Sequence, residues 1–255
     1  MGVAALDTPS PTHWPSTARR SWWARSADQL DACVDEMKQD GGKAIAVVTD
    51  VTDSEAVTEM VEQAERTYGP IDLLVNNAAS NETTGPIWES DPDLWWQDVR
   101  SMVYAPFRCA HTVLPTMIRR HQVRIINIVS PAGTRASATI PAYSVSKTAL
   151  IRLTECMALQ LVNTGVSVFA LSPGLVHTAL IDQALSDRWA GPEFQKLLDA
   201  GLAVPPERAA ALVVTLATGA YDALSGWYIA VGDDLEALMH RRRQGETQIR
   251  TLRMA

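Results

Sequence analysis

The feature that most constrains the fold is a regular alternation of two kinds of segment from residue 25 onward. Short apolar runs rich in β-branched residues each follow a stretch with the spacing of an amphipathic helix. The runs are KAIAVVTD, IDLLVNNA, VRIINIVS, VSVFALSP and GWYIAV. IDLLVNNA is apolar nearly throughout, which is typical of a parallel strand covered on both faces. The alternation predicts an α/β fold, a doubly wound, Rossmann-like parallel sheet in a single domain from 25 to 255, with ligands at the carboxyl ends of the strands.

The composition argues against several classes of function. The 255 residues have a formal net charge of -7, so no overall positive charge attracts nucleic acid. Cys33, Cys109 and Cys156 stand far apart and form neither a disulfide framework nor a metal-ligand spacing. No apolar run approaches membrane-spanning length, and prolines and Asp7 interrupt the region where a secretory signal would be apolar. We therefore expect a cytoplasmic protein that acts on a small molecule, without nucleic acid, membrane or metal.

The stretch AYSVSKTAL carries residues suited to acid–base chemistry. Tyr143 and Lys147 are four positions apart on a predicted helix, so they share one face. A nearby ammonium favours the phenolate and would lower the pKa of Tyr143 towards neutrality. This pair alone is a weak signal, because Y-x-x-x-K often arises by chance. Ser130 strengthens it, because it ends the strand VRIINIVS and offers a hydroxyl that could bind a carbonyl oxygen protonated by Tyr143.

Three further segments follow predicted strands. They are DVTD from Asp50, NNAA from Asn76 to Ala79, and SPGLVHT from Ser172 to Thr178. Because the carboxyl ends of parallel strands meet at one edge of a sheet, we expect these segments and Ser130 to line one crevice.

Together these motifs, in this order and spacing, resemble the short-chain dehydrogenase/reductase family from about Arg25 to the strand at Gly226–Val231. The resemblance implies an oxidoreductase that transfers a hydride between NAD(P)(H) and a secondary alcohol or ketone. It makes Tyr143 the catalytic acid/base and Ser130 the residue that orients the substrate carbonyl. It also implies that Lys147 lowers the pKa of Tyr143 and holds the nicotinamide ribose.

The resemblance also implies a path for the cofactor. The adenine would contact the segment after KAIAVV, the groove would be lined by NNAA, and the carboxamide would meet SPGLVHT. The implied cofactor-binding residues are Arg25, Asp50, Val51, Asn76, Ala78, Tyr143, Lys147, Pro173, Gly174, Val176 and Thr178.

Arg25 bears on the choice of cofactor. It follows the predicted second strand, where this fold meets the 2′ position of the adenine ribose. An acidic residue there would favour NAD, whereas an arginine favours the 2′-phosphate of NADP, so NADP is expected and NAD is the alternative. A solvated arginine at the start of a helix is the other interpretation.

The chain departs from the family pattern in three places. The family's glycine-rich T-G-x-x-x-G-x-G turn is absent, Met102 stands where an asparagine of a proton relay is expected, and NNAG has become NNAA. Residues 1–24 instead contain three prolines, Pro9, Pro11 and Pro15, each of which resists a central strand. We therefore expect the first strand and the glycine turn to be missing or distorted, although RRSWWA can form the second strand.

Codon arithmetic suggests an origin for residues 1–24. With permitted codon choices, a shifted reading frame converts them into GRRGIGHALANALAEHGATVVVG, which contains a glycine turn, a helix and a β-branched strand. Our hypothesis is that this segment is an out-of-frame reading of a cofactor-binding start. A native but divergent extension is the alternative.

Two functions therefore stand at this point: an oxidoreductase with a Tyr-Lys-Ser mechanism, and a catalytically silent scaffold or interaction protein with impaired cofactor binding. Family members usually assemble through their two long helices, here those carrying Met102 and Tyr143, so a homodimer or homotetramer is expected. His177 lies near the expected nicotinamide position and is a candidate for a role beside the substrate.

Overall fold

The structure is a computed structural model that describes residues 19–24 and 27–246, with side chains from Leu30 onward. The strands in this part of the chain are β1 (Arg19–Ala24), β2 (Lys43–Val48), β3 (Leu73–Asn76), β4 (Val123–Ile128), β5 (Val166–Ser172) and β6 (Tyr228–Ala230). The helices are α1 (Ala27–Gln39), α2 (Ser54–Tyr68), α3 (Pro92–Val99), α4 (Ala105–Arg120), α5 (Pro141–Gln160), α6 (Ala179–Ser186), α7 (Gly191–Asp199), α8 (Pro206–Ala217) and α9 (Leu235–Arg243). Arg25 lies outside the described residues, so the structure does not place this cofactor candidate.

The strands pair in parallel throughout. β3, β4, β5 and β6 form one sheet in that order, and β1 pairs with β2 in a second sheet. The prediction that RRSWWA forms a strand is confirmed, because these six residues are β1. Within residues 19–24 and 27–246 no strand joins the two sheets. The first strand, expected to be missing or distorted, falls in residues 1–18, which lie outside the described residues. The predicted α/β class with a parallel sheet is confirmed.

Helices cover both faces of the four-stranded sheet. Successive residues of a strand point to opposite faces, so the side chains on each face are buried against a different set of helices. In β5, Val166 and Val168 belong to one core cluster with residues of α2, α4 and α5, whereas Phe169 and Leu171 belong to a second cluster with residues of α8 and α9. All seven residues of β5 are buried. This two-sided burial explains why the central runs read as continuously apolar.

Local sequence signals explain where α2 begins and ends. The carboxylate of Asp53 caps α2 by accepting hydrogen bonds from two backbone N–H groups, and Gly69 ends this helix with a φ of +85°. None of the helices in residues 27–246 combines the length and apolar character needed to cross a bilayer.

The long helix expected to carry Met102 is divided in the structure. A π-helical turn at Arg100–Tyr104 separates α3 from α4, and Met102 lies in this turn with 0% exposure. The extra residue of a π turn changes the direction of the side chains that follow it, and such turns are frequent at functional sites. Simple helical periodicity does not reveal it.

Candidate active site

A cavity of about 570 Å³ opens at the carboxyl ends of β3, β4 and β5. This is the edge where the strand–helix alternation predicts a ligand. The loop after β3, the connection from β4 to α5, and the segment from β5 through α7 form its walls. Ser130, Tyr143 and Lys147 all line it, so the three residues proposed as catalytic share one cavity of a size typical for small molecules.

The three side chains are held close together. Ser130 follows β4 in an extended conformation, with φ -151° and ψ 155°, and its Oγ accepts a hydrogen bond from the Ala132 N–H at 3.2 Å. The Ser130 side chain is also hydrogen-bonded to Tyr143. One turn further along α5, Lys147 places its Nζ 5.4 Å from the centroid of the Tyr143 ring, within cation–π range.

Close packing fixes the loop that connects Ser130 to α5. A Cβ added to Gly133 would lie 2.7 Å from the backbone carbon of Lys147, so only glycine allows this approach. The Ser144 hydroxyl donates to the Ala132 carbonyl oxygen at 2.8 Å, and the Thr148 hydroxyl donates to the Gly133 carbonyl oxygen at 2.9 Å. These ties couple the position of Ser130 to that of Tyr143, although they are distant along the chain.

Lys147 is a buried cation. Its side chain is 1% exposed, and its Nζ donates to the Ile128 carbonyl oxygen at 2.8 Å. Burial lowers the pKa of Lys147 from the usual 10.5 to about 8, because the charged ammonium loses its hydration. The side chain is therefore fixed by a backbone oxygen in a region that disfavours its charge.

The pKa of Tyr143 is shifted in the opposite direction from the one that its spacing to Lys147 predicts. Burial raises the pKa of Tyr143 to about 12, and the hydrogen bond with Ser130 lowers it by less. The expected decrease is absent because burial penalises the phenolate, while the Lys147 Nζ lies over the ring and binds the Ile128 carbonyl oxygen. In this geometry Tyr143 is a neutral phenol at physiological pH and can donate a proton.

Only some of the expected cofactor-binding residues line the cavity. Pro173, Gly174, Val176 and Thr178 line the same cavity as Ser130, Tyr143 and Lys147, and so does Ala78. These residues lie where the resemblance expects the nicotinamide end of the cofactor and its groove.

Asn76 has a different position. It is buried at the end of β3, and its Nδ2 donates to Asn127 Oδ1 at 2.8 Å, which ties β3 to β4. It is not among the residues that wall the cavity, so its visible contact is a tie within the sheet.

The expected adenine contacts also lie away from the cavity walls. The Asp50 carboxylate accepts hydrogen bonds from the backbone N–H and hydroxyl of Thr52, at 2.9 and 2.8 Å. Val51 is 1% exposed and packs in the core formed with α2 and α4. Both residues lie in the turn between β2 and α2.

Gly174 lies in a closely packed turn at the end of the cavity where the nicotinamide is expected. Its φ is +79°, and an added Cβ would lie 2.6 Å from Val204 Cγ2. Any side chain here would strain the turn and collide with Val204, so the turn after β5 requires glycine.

The residues present fit one end of a dinucleotide cofactor. The turn at Gly174, the Thr178 hydroxyl and the adjoining cavity can hold a nicotinamide beside Tyr143 and Lys147. The pyrophosphate end has no matching glycine-rich motif in the sequence, and the described strands do not close the gap between the two sheets.

Helices α6 and α7 close the outer side of the cavity. Asp187, just after α6, accepts hydrogen bonds from the Thr84 hydroxyl and from the Trp189 and Ala190 N–H groups, each at 2.8 Å. These bonds hold the pKa of Asp187 below its usual value, against the opposing effect of burial. The sequence gave no signal that Thr84 would bind the segment after α6.

Two other site features escaped the sequence analysis. Asn81 lines the cavity, and the carboxylate of Asp98 organises the loop around it. Both are ordinary polar residues without a motif, so only their burial reveals them. His177, by contrast, is exposed, pairs with Asp182 at 2.7 Å, and is not among the cavity-lining residues.

Comparison with known proteins decides the family. The family model for short chain dehydrogenases matches residues 17–189. The chain belongs to this family. A short chain dehydrogenase of Pseudocercospora fijiensis is 36% identical over 178 residues, which cover 68% of this chain and 57% of that protein. The ketoacyl reductase HetN of a Nostoc species is 33% identical over 190 residues, 74% of this chain and 63% of that protein.

Solved structures agree with this membership of the short chain dehydrogenases. A variant of actinorhodin polyketide ketoreductase with NADPH has a TM-score of 0.77 and 28% identity, covering 84% of this chain and 85% of that one. A gluconate 5-dehydrogenase from Burkholderia cenocepacia, in complex with NADP and tartrate, has a TM-score of 0.74 and 27% identity, covering 85% of each chain. The alignment to the first four curated relatives covers only 57% to 66% of their length.

Proposed function

We propose that this short chain dehydrogenase is an NAD(P)-dependent oxidoreductase that interconverts a ketone and a secondary alcohol. The observation that carries the proposal is the meeting of Ser130, Tyr143 and Lys147 in one cavity at the carboxyl edge of the sheet. Family membership supports the same reaction type.

The mechanism follows from the protonation states in the cavity. In reduction, the Ser130 hydroxyl donates a hydrogen bond to the substrate carbonyl oxygen and keeps it beside Tyr143. The Tyr143 hydroxyl then gives its proton to that oxygen as negative charge develops there. A bound reduced nicotinamide would supply the hydride that the carbonyl carbon receives.

Lys147 has two parts in this proposal. Its Nζ stabilises the phenolate that Tyr143 becomes after giving up its proton, because an ammonium 5.4 Å from the ring centroid attracts the new charge. It would also hold the nicotinamide ribose, as the resemblance implies. Because burial raises the pKa of Tyr143 to about 12, the hydroxyl is already protonated at neutral pH, which is the form that reduction requires.

The test is the Tyr143→Phe variant, assayed with NADPH or NADH and a panel of ketones. Loss of the hydroxyl should lower kcat by at least about a hundredfold, the usual contribution of general acid catalysis. Tyr221→Phe is the matched control, because its hydroxyl bonds to Glu236 on α9 and Tyr221 is not a cavity-lining residue. Retention of most of the activity by Tyr143→Phe would refute the mechanism.

For the cofactor we propose NADP rather than NAD. Arg25 offers a cation for a 2′-phosphate, and two structural neighbours were solved with NADPH or NADP. Calorimetric titration with NADPH and NADH should show tighter binding of NADPH, and Arg25→Asp should reverse the order. Equal affinities in the unaltered chain would contradict this assignment.

For assembly we propose a homodimer or homotetramer formed through α4 and α5. Large apolar side chains are exposed on both helices: Phe107 at 44%, Ile118 at 38%, Leu159 at 77% and Val145 at 49%. Exposed groups of this kind are typical of interfaces between subunits. Light scattering should show a mass of at least two chains.

The second candidate, a catalytically silent member of the family, rests on the absence of the glycine-rich motif. It predicts that neither NADPH nor NADH binds in the same titration, although the chain folds. Binding of either cofactor with turnover of any ketone would exclude it.

A further inference from the structure

Arg135 borders the cavity and has no partner for its charge. It is one of the cavity-lining residues, and it is exposed to solvent, so it lies at the mouth of the cavity and not in its closed interior. Between Leu30 and Glu246 no residue forms an ion pair or a hydrogen bond with its guanidinium. A guanidinium stays charged at physiological pH and offers five N–H donors, so this side chain is available to an anionic ligand.

The backbone of Arg135 is fixed, although its side chain is not. The residue follows the short turn Pro131–Thr134 in an extended conformation, with φ -149° and ψ 155°. Its carbonyl oxygen accepts a hydrogen bond from the Ser144 hydroxyl at 2.9 Å, and Ser144 is the neighbour of Tyr143 on α5. The long side chain of Arg135 therefore starts from a fixed point in the connection that joins Ser130 to Tyr143.

The cavity lining has more positive than negative charge. Among the described lining residues the cations are Arg135 and Lys147, and the one carboxylate is Glu193 on α7. Lys147 is buried, whereas Glu193 accepts a hydrogen bond from the Thr139 hydroxyl at 2.7 Å. The other polar lining groups are neutral amides and hydroxyls, including Asn77, Asn81, Thr178 and Gln183. Arg135 is thus the exposed cation of this cavity.

The lining also contains hydrocarbon surface. Leu180, Phe194 and Leu197 of the lid helices belong to it, and such side chains accept a hydrocarbon segment of a ligand. A planar guanidinium matches a carboxylate because two N–H groups can donate to its two oxygens. The chemistry of the lining therefore fits a ligand with a hydrocarbon segment and one carboxylate.

We propose that Arg135 is a specificity-determining residue that binds a carboxylate of the ketone substrate, so that the substrates are keto acids with a hydrocarbon segment between the two groups. The carboxylate stays at the mouth, where it keeps part of its hydration, and the ketone reaches Ser130 and Tyr143. The inference rests on the proposed function, because the catalytic residues fix the ketone end of the substrate.

The experiment compares levulinate and its two higher homologues with their methyl esters. The acids place a carboxylate at three distances from the ketone, and the esters keep the chain without the charge. Calorimetry on the full chain in the presence of NADP gives dissociation constants without requiring turnover. At least one acid should bind about fivefold more tightly than its ester, between the values for an exposed ion pair and a buried charged hydrogen bond. Arg135→Gln, which removes the charge, should abolish this preference.

Two further variants separate a local site from a general effect of charge. Arg66→Gln removes the same charge from an exposed ion pair with Glu62 on α2, away from the cavity lining, and it should keep the preference. Glu193→Gln removes the lining carboxylate and should tighten binding of the acid, because one repulsive charge is lost. The melting temperature of Arg135→Gln should stay within about 2 °C of the unaltered chain, since an exposed side chain without a partner contributes little stability.

Each of the other outcomes would overturn the role of Arg135. They are equal binding of acids and esters, binding of neither, a preference that survives in Arg135→Gln, and a preference that is lost in Arg66→Gln. A weaker binding of the acid by both Arg135→Gln and Glu193→Gln would show that the two side chains act as an ion pair across the mouth, which also contradicts the inference.

Oxidation of NADPH with the esters tests the proposed function separately. Turnover of the esters without preference for an acid overturns only this inference. Tighter binding of an acid without turnover of any ketone overturns only the reaction.

Discussion

Replacing Lys147 with methionine should make the protein more stable while it destroys catalysis. The side chain is 1% exposed, and burial brings its pKa to about 8 from the usual 10.5. A pKa lowered by about 2.5 corresponds to a cost of about 3 kcal/mol for keeping the ammonium charged in the folded state. Methionine has a similar volume and no charge, so this cost disappears in Lys147→Met.

The gain is partly offset by one lost hydrogen bond. Lys147 Nζ donates to the Ile128 carbonyl oxygen at 2.8 Å, and methionine leaves that oxygen without this donor. An unsatisfied buried carbonyl costs about 1–2 kcal/mol. The net stabilisation is therefore about 1–2 kcal/mol at pH 7, which raises Tm by about 2–8 °C for a domain of this size.

The pH dependence identifies the cause. Because the folded pKa of Lys147 lies below the unfolded one, its destabilising effect is complete below pH 8 and vanishes as pH rises to 10.5. The stability advantage of Lys147→Met should therefore shrink across this window. Urea unfolding at several pH values measures it, and Lys196→Met, at an exposed position of α7, is the control.

Two results would refute this reasoning. Lys147→Met could be less stable than the unaltered chain at pH 7, which would show that its charge is well solvated or paired. Alternatively, the difference could stay constant from pH 7 to 10.5, which would show that the lysine pKa is not lowered.

Three other predictions concern the same site and its helices. The difference in ultraviolet absorbance between the unaltered chain and Tyr143→Phe should show the phenolate only as pH approaches 12; a midpoint below 10 would contradict the raised pKa. Because that pKa is raised, the stability due to neutral Tyr143 is complete below pH 10 and is lost as pH rises towards 12. Met102→Asn should raise kcat several-fold if the proton relay of the family operates, and it should lower stability by about 1–3 kcal/mol because it buries an amide; unchanged kcat would show that no relay is used. Phe107→Asp on α4 should halve the mass seen by light scattering, and an unchanged mass would place the interface elsewhere.

The sequence by itself determined the class of fold and the neighbourhood of the site. The alternation of helical segments and apolar runs specifies parallel strands with helices on both faces, and each of the five apolar runs contains a strand, from β2 to β6. The four-residue spacing places Tyr143 and Lys147 on one face of α5, because a helix turns every 3.6 residues or so. The ends of three predicted strands placed Ser130, Ala78 and Gly174 in one cavity.

Only the tertiary structure decided the electrostatics and the direction of particular side chains. Lys147 donates a hydrogen bond to the Ile128 carbonyl oxygen and loses its hydration. The pKa of Tyr143 is determined by burial, and not by the proximity to Lys147 that the sequence shows. Asn76 pairs with Asn127 within the sheet, whereas Asn81 lines the cavity, although both are asparagines of one short segment. Periodicity fixes how a side chain leaves its own backbone, but its solvation and its partners depend on segments far away in the chain. Those segments meet only when the core packs.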